Sequence, residues 1–178
     1  MNPITQLIDS LNAENLWDST IMLNRNDFLT KRGTVDTNLY WVIKGSFRIF
    51  VIEAHEEHTI RFGYKNNLIA TLDSFLNEKP TDFYIQALKQ ATVKVLDKTK
   101  FMDFIASSSE NTKIWQLILQ QFVLQQMERE RDILTQSPVE RYNRVLNRSP
   151  QLFQEVPNKY IASYLRMTPE TFSRIKKS

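Results

Sequence analysis

The amino-acid sequence predicts an α+β protein that begins with a domain of short β-strands, continues in one long helix and ends in a small all-helical domain. Short segments rich in β-branched and aromatic residues fill the chain from Ile21 to about Lys98, and strands at this frequency indicate a roll, barrel or sandwich. A long apolar segment with helical spacing follows. Residues 137–178 carry helix-start signals at Pro138 and Pro169. We therefore expect a roll, barrel or sandwich of short strands, followed by helices.

The N-terminal part is predicted to open with a short helix and to continue as strands. Apolar residues between Ile4 and Leu11 recur at helical spacing. Glycines such as Gly45 lie in or beside the breaks between the strand-like segments, as expected of turns. The predicted strands are residues 28–30, 39–43, 47–52, 59–62, 83–87 and 91–96.

A long helix is predicted over residues 107–136. Ser107 and Glu110 have the spacing of a capping box, whose side chains accept hydrogen bonds from unpaired backbone amides. Apolar side chains between Ile114 and Met127 cover nearly the whole circumference, so this helix needs cover on more than one side. One side can rest on the roll and the other on the same helix of a second copy; a helix buried wholly in its own chain is the alternative. The side chains assigned to the dimer helix are Ile114, Leu117, Ile118, Gln121 and Leu124.

Charge and composition indicate which kinds of molecule the protein binds and exclude several classes of site. The chain has 23 basic and 20 acidic residues, but residues 139–178 hold 8 basic and only 3 acidic ones. A basic tail indicates a polyanionic partner, nucleic acid first and an anionic membrane second. The absence of Cys excludes disulfides, thiolate zinc sites and Cys-ligated iron–sulfur clusters. No targeting segment or membrane span is recognisable, so a cytoplasmic protein without membrane association is expected.

A domain boundary is predicted at Ser137, followed by Pro at the first helical position and by Glu140 three residues after the cap. The charged residues 128–132 before it predict that the long helix enters solvent or a gap between domains. The expected domains are 1–106, 107–136 and 137–178. Within the last one, helices are expected at about 138–147, 158–165 and 169–177.

Residues 158–177 have the pattern of a helix-turn-helix. Ala162 is the small residue that lets two helices approach, and Thr168 caps a second helix that Pro169 opens. Its polar face can accept from cytosine amino groups, donate to guanine and contact phosphates, although an ordinary helical hairpin with a charged surface is also possible. The candidate DNA-binding residues are Lys159, Thr168, Glu170, Ser173, Arg174, Lys176 and Lys177.

Segments 137–142, 156–165 and 168–174 resemble the bacterial cyclic-AMP receptor protein and fumarate–nitrate reduction regulator (CRP/FNR) family, in particular members common in the Bacteroidetes. Glu170, Ser173 and Arg174 match the Glu-x-x-Ser-Arg pattern of that family's recognition helix. The resemblance implies that Glu170 and Arg174 read base edges and that Ser173 supports them. It extends over almost the whole chain, because residues 41–50 look like the glycine-turn hairpin of the family's β-roll.

The resemblance implies a homodimeric, sequence-specific transcriptional regulator that binds double-stranded DNA. It also implies an N-terminal β-roll, of jelly-roll-like or double-stranded β-helix form, that resembles the cyclic nucleotide-binding domain. No Gly-rich phosphate loop, metal-ligand cluster or nucleophile with a paired base is recognisable, so no catalytic residue, metal or cofactor is expected and an enzyme is disfavoured. The alternative is a small-molecule-binding or protein-interaction module whose truncated tail does not bind DNA.

The sequence departs from the family where members bind cyclic nucleotides. Such members carry Gly and Glu in one turn and an Arg-Ser pair about ten residues later, but the matching positions here are Ala70, Thr71, Thr81 and Asp82. The groups that neutralise a phosphodiester are absent, so a response to cyclic AMP is not expected. The pocket assigned to another small-molecule effector, if one exists, comprises Leu68, Ile69, Ala70, Thr71, Thr81, Asp82 and Phe83.

Three smaller expectations concern the turn, the tail and the histidines. Arg166 occupies a turn position where the family often has Gly, which predicts a positive φ. The sequence ends at Ser178, so the family's β-hairpin wing is expected to be missing and DNA affinity to be lower, with Arg141, Arg144 and Arg148 among the residues supplying phosphate contacts. His55 and His58 are attributed to a solvated hairpin tip rather than to a metal site.

Overall fold

A computed structural model describes residues 2–177, which form eight helices and eight strands in an α+β fold. Met1 and Ser178, the outer ends of the predicted first and last domains, lie outside the described residues. The strands are β1 (Ser19–Leu23), β2 (Phe28–Thr30), β3 (Leu39–Lys44), β4 (Ser46–Glu53), β5 (Glu56–Tyr64), β6 (Leu68–Ile69), β7 (Tyr84–Ala87) and β8 (Ala91–Leu96). The helices are α1 (Pro3–Ala13), α2 (Leu72–Asn77), α3 (Lys98–Ala106), α4 (Ser109–Leu134), α5 (Pro138–Arg148), α6 (Leu152–Glu155), α7 (Asn158–Tyr164) and α8 (Pro169–Lys177).

The strands form two four-stranded antiparallel sheets, with the orders β1-β8-β3-β6 and β2-β7-β4-β5. Val42, Phe47, Ile85 and Val93 are fully buried in the core that the two sheets share. All six predicted strands are present. The sequence analysis did not predict β1, four of whose five residues are exposed, because such a strand lacks the alternation of apolar and polar residues that marks a half-buried one.

Two turns of the roll contain residues with positive φ angles. Gly45 joins β3 to β4 with a φ of +95°, and a Cβ there would lie 2.5 Å from the Cβ of Ala91. Only Gly adopts this conformation and tolerates this approach without strain. Ala54 and His55 form the turn between β4 and β5 with positive φ angles, so His55 and His58 lie at the exposed end of a hairpin, as predicted.

Helices α1, α3 and α4 pack on the end of the roll around a second core. Phe101 and Trp115 make an edge contact with ring centroids 5.0 Å apart. Ile114 and Ile118, two of the residues assigned to the dimer helix, are 5% and 0% exposed in this core. Their assignment to a dimer face is therefore wrong, because their own chain already covers them.

The start of α4 also differs from the prediction in detail. The N-cap is Ser108 rather than Ser107, and its hydroxyl accepts from the backbone N–H of Asn111 at 3.0 Å. Glu110 does not complete a capping box. Its carboxylate instead accepts from the Gln6 side chain at 3.1 Å, which ties the first turn of α4 to α1.

The helices α5 to α8 form a third core, in which Ile161, Leu165 and Phe172 are almost completely buried. The predicted helices after Ser137 are all present, and the short helix α6 is additional. Leu88 of the roll belongs to the same core, and Ser46 donates a hydrogen bond to the carbonyl of Glu155 at 3.1 Å. The C-terminal helices therefore pack directly against the roll.

Within residues 2–177, no helix is both long enough and apolar enough to cross a membrane.

Candidate functional site

Helices α7 and α8 are joined by a tight turn whose geometry follows from its hydrogen bonds. The N–H of Arg166 donates to the carbonyl of Ser163 at 3.0 Å, and that of Met167 donates to Ala162 at 2.9 Å. This pair of bonds closes a helix through one left-handed residue. That residue is Arg166, with a φ of 52°, so the predicted positive φ is confirmed.

Helix α8 starts at the predicted cap and has one buried and one exposed face. The hydroxyl of Thr168 accepts from the N–H of Thr171 at 3.2 Å. Phe172 and Ile175 point into the third core and are 1% and 9% exposed. Because these two residues fix the rotation of α8, its polar residues must face outward.

The seven candidate DNA-binding residues are all exposed. Lys159 lies near the start of α7, and Lys176 at the end of α8 donates to the side chain of Asn158 at 3.1 Å. The remaining five, Thr168, Glu170, Ser173, Arg174 and Lys177, belong to α8 or its cap. The buried residues Phe172 and Ile175 therefore fix the orientation of α8, and its polar face is exposed.

Three further arginines do not contribute to that open surface. Arg141 donates to the carbonyls of Thr135 at 2.6 Å and Leu165 at 3.0 Å. Arg144 and Arg148 both pair with the carboxylates of α4. Because their donors bind groups of their own chain, the structure gives no support to the expectation that these arginines contact phosphates.

The pairing between α4 and α5 forms a buried charge cluster at the boundary of the C-terminal helices. Asp132 is completely buried, accepts from Arg144 Nε at 3.0 Å and also pairs with Arg148. Arg144 reaches Glu128 at 2.9 Å as well. The charged end of α4 was predicted to enter solvent or a gap between domains. Glu130 and Arg131 are exposed, whereas Asp132 is buried against the arginines of α5.

In the predicted effector pocket, the polar side chains are already bonded to each other. The hydroxyl of Thr81 donates to the carboxylate of Asp73 at 2.9 Å, and the N–H of Asp82 donates to it at 3.1 Å. The hydroxyl of Thr71 donates to the carbonyl of Asp36 at 2.9 Å. Asp82 is exposed and pairs with Arg32 at 3.5 Å, so these groups do not converge on a free site.

The other members of that predicted pocket divide between two places. Phe83 packs against the core between the sheets. Leu68, Ile69 and Ala70 instead line a cavity of about 320 Å³ between the roll, α4 and the C-terminal helices. The predicted set therefore does not form one pocket.

Helix α4 carries a row of exposed apolar side chains beyond the part that α1 and the roll cover. Leu117 and Leu124 are 40% and 61% exposed, and Met127 and Leu134 are 59% and 79% exposed. Members of each pair are seven residues apart. Leu117 and Leu124, from the predicted dimer set, lie on this face, and Gln121 is half-buried.

Comparison with known families identifies the first half of the molecule. The model of the cyclic nucleotide-binding domain matches residues 20–108, which is half of the chain of 178 residues. The chain belongs to the cyclic nucleotide-binding domain family. The match includes both sheets of the roll and α3, but membership does not determine whether a nucleotide binds, because the phosphate-binding groups vary separately from the fold.

Solved structures resemble almost the whole chain, including the helices after the cyclic nucleotide-binding domain. A CooA variant from Carboxydothermus hydrogenoformans has a TM-score of 0.74 at 15% identity, over 96% of this chain and 82% of that one. FixK2 from Bradyrhizobium japonicum has 0.74 at 12%, over 89% and 82%. The catabolite activator protein of Thermus thermophilus has 0.60 at 19%, over 98% and 85%. At these identities the likeness shows the fold alone, which is that of the CRP/FNR regulators. A search of curated protein sequences finds no match.

Proposed function

We propose that the protein is a homodimeric regulator of transcription that binds specific DNA sequences through α8. The observation that carries this proposal is the exposed polar face of α8, held by the buried Phe172 and Ile175. In this role Glu170 and Arg174 read base edges, Ser173 supports them, and Lys177 contacts phosphate. The proposed domains are a sensor at 1–106, a dimerisation helix at 107–136 and a DNA-binding domain at 137–178.

The proposed dimer forms through the exposed apolar row of α4. Leu117, Leu124, Met127 and Leu134 have the spacing of a coiled-coil seam. A two-fold axis along this seam would place two copies of α8 on one side of the dimer. Two recognition helices about 34 Å apart can enter successive major grooves of B-DNA.

A regulator of this design would respond to a signal through the paired helices. A change at the roll that alters the relative pose of two α4 helices would alter the spacing of the two α8 helices. Because both grooves must be met at once, a small change in spacing would shift the population of the DNA-binding state.

The proposed signal is not a cyclic nucleotide. Asp73 already accepts the hydrogen bonds from Thr81 and from the backbone of Asp82. A phosphodiester at this place would meet a carboxylate without a compensating cation. A buried anion in such surroundings costs several kcal/mol.

The role of α8 can be tested by selecting DNA sites with the wild type, Arg174→Ala and Lys177→Ala. Arg174→Ala is expected to cost about 1–3 kcal/mol on the preferred site and to relax base choice at one position. Lys177→Ala, a matched control on the same face, should weaken all sequences alike and reduce the salt dependence of binding. Equal base preferences for the wild type and Arg174→Ala would show that Arg174 does not read bases.

The alternative is an interaction module whose C-terminal helices do not read DNA. It is favoured by the close packing of these helices on the roll, where the guanidinium of Arg48 lies 4.6 Å from the ring of Tyr160. Gel-shift measurements with a random duplex pool separate the two. Retention of palindromic sites supports the regulator, and salt-sensitive binding without sequence preference supports the module.

A further inference from the structure

The cavity of about 320 Å³ lies where three parts of the chain meet. The roll contributes residues of β3 to β6, the central helix contributes residues between Trp115 and Arg129, and the C-terminal part contributes residues of α5, Leu152 and Tyr164. Its volume is at the lower end of the range for small-molecule sites. It has room for about ten water-sized groups.

The polar part of the cavity wall is cationic. Arg61 of β5, Arg129 of α4 and Arg148 of α5 line it. Among the described residues, no Asp or Glu side chain lines it. Arg148 has its charge balanced behind the wall by Asp132 and Glu128, so Arg61 and Arg129 supply the uncompensated positive charge.

Arg129 is the unusual member of this wall. It is 7% exposed, and its Nε has no hydrogen-bond partner among the described residues. Its guanidinium stacks 3.7 Å from the centre of the Tyr164 ring. Asp132, three residues further along α4, attracts it, but that carboxylate already binds Arg144 and Arg148. A buried donor without an acceptor costs about 1–3 kcal/mol, so an acceptor supplied from outside would be stabilised here.

Arg61 of β5 is the second cation that lines the cavity without a close carboxylate partner among the described residues. Its one hydrogen bond within the described residues is a long one, 3.4 Å to the neutral side chain of Gln126, and its guanidinium lies 5.7 Å from the Phe122 ring. Burial lowers the pKa of both Arg61 and Arg129 from the usual arginine value, because desolvation disfavours the charged form of a guanidinium.

The rest of the lining is largely apolar and aromatic. Ile69, Trp115, Phe122 and Leu152 contribute carbon surface. Apolar surface of this kind favours a ligand with a hydrocarbon or aromatic body, because burying that body removes it from water. The cations and the apolar walls together define one kind of ligand.

We infer that this cavity binds a small organic anion with an apolar body and a carboxylate-like head group, which pairs with Arg129 and Arg61. Arg fits such a group well, because its planar fork can donate two parallel hydrogen bonds to a carboxylate. The site differs from the region around Thr71 and Thr81, because its cations come from β5 and α4.

Such a ligand would contact the roll, α4 and the C-terminal helices at the same time. It would therefore favour the arrangement in which α7 packs on β5 and would reduce the freedom of the C-terminal domain. As an effector of DNA binding, this ligand depends on the proposed function. Its binding to the cavity does not.

The cavity can be tested with octanoate as the probe, with octanol and octylammonium as ligands of the same chain without a negative charge. Octanoate is expected to raise the Tm of the wild type in a saturable way, and the two controls to raise it much less. Cyclic AMP is expected to leave the Tm unchanged. A wild type that octanoate stabilises no more than octanol would overturn the inference.

Substitutions of the cavity arginines test whether octanoate binds in this cavity. Arg129→Met and Arg61→Met should each raise the Kd for octanoate about tenfold or more, because each removes one charged donor. Arg129→Met is expected to fold, since it removes an unpartnered buried charge and keeps the volume. Arg131→Met, on an exposed site of the same helix outside the cavity, should bind octanoate like the wild type. Unchanged octanoate binding in both cavity variants would overturn the assignment.

A second measurement separates this inference from the proposed function. If a selected duplex binds and octanoate does not, the regulator stands and the organic-anion site is wrong. If octanoate binds through Arg129 and no duplex is selected, the site stands and the regulator is wrong.

Discussion

At the scale of single residues, the turn before α8 depends on a backbone conformation that its side chain disfavours. Arg166 has a φ of 52°, and its side chain is exposed. The two hydrogen bonds that close α7 require this left-handed residue. For a non-Gly residue the left-handed conformation costs about 1–2 kcal/mol.

Arg166→Gly is therefore expected to stabilise the protein. Relief of the strain exceeds the extra entropy that Gly gives the unfolded chain, so the free energy of unfolding should rise by about 0.5–1 kcal/mol. Urea unfolding measures it. Arg166→Ala is the matched control, because it removes the same side chain but keeps the Cβ. A gain of equal size in both variants would mean that the side chain, and not the φ, is responsible.

At the scale of elements, α4 has two functions along one helix. Its buried residues, such as Ile118, join the core with α1 and α3, while Leu124 and Met127 remain exposed. A helix that is apolar on nearly all sides can therefore be covered partly by its own chain and partly by a second copy.

Leu124→Glu is expected to convert the proposed dimer to a monomer. It places two charges across the seam, where they would be desolvated and would repel each other. Sedimentation measures the molecular mass. Leu76→Glu is the control, since Leu76 is 63% exposed on α2, outside the seam, and should leave the mass unchanged. A Leu124→Glu protein that sediments like the wild type would contradict the seam.

At the scale of the whole molecule, Asp132 couples the central helix to the C-terminal domain. It is completely buried and binds arginines at two positions of α5. This charge cluster therefore connects α4 to α5. The proposed mechanism requires the central helix and the C-terminal helices to move relative to each other.

Asp132→Asn is expected to weaken the contact between α4 and α5. Loss of the buried charge leaves two arginines short of a partner, which costs about 3–5 kcal/mol when such a pair is broken. Hydrogen exchange should therefore increase in α5 to α8 and change little in the roll. Glu128→Gln, at a half-exposed partner of the same arginines, should have a clearly smaller effect. An increase in exchange that is equal in the roll and in α5 to α8 of Asp132→Asn would contradict the proposal that Asp132 connects α4 to α5.

Prediction from the sequence succeeded where the relevant interactions are local. The strands with β-branched and aromatic residues, the caps at Ser137 and Thr168 and the turn at Arg166 depend on neighbours within a few residues, and the structure confirms them. The outward face of α8 followed from helical periodicity in the same way.

The dimer face and the pockets could not be read from the sequence, because they depend on contacts between distant residues. Ile118 and Leu124 have similar apolar side chains, and only the packing of α1 and α3 buries one and leaves the other exposed. Arg129 belongs to a run of charged residues that predicted solvent or a gap between domains, and only the packing of α5 and α7 shows that Arg129 is buried.

The sequence by itself determined the α+β class, the order of roll, long helix and terminal helices, and the candidate reading surface, because periodicity and capping are properties of short segments. Only the tertiary structure showed which arginines are paired within the chain and which remain available to bind a ligand. In it, Arg144 and Arg148 pair with Asp132, the hydroxyl of Thr81 donates to Asp73, and the Nε of Arg129 has no hydrogen-bond partner among residues 2–177. Charge compensation depends on distance in space, which separation along the chain does not reveal.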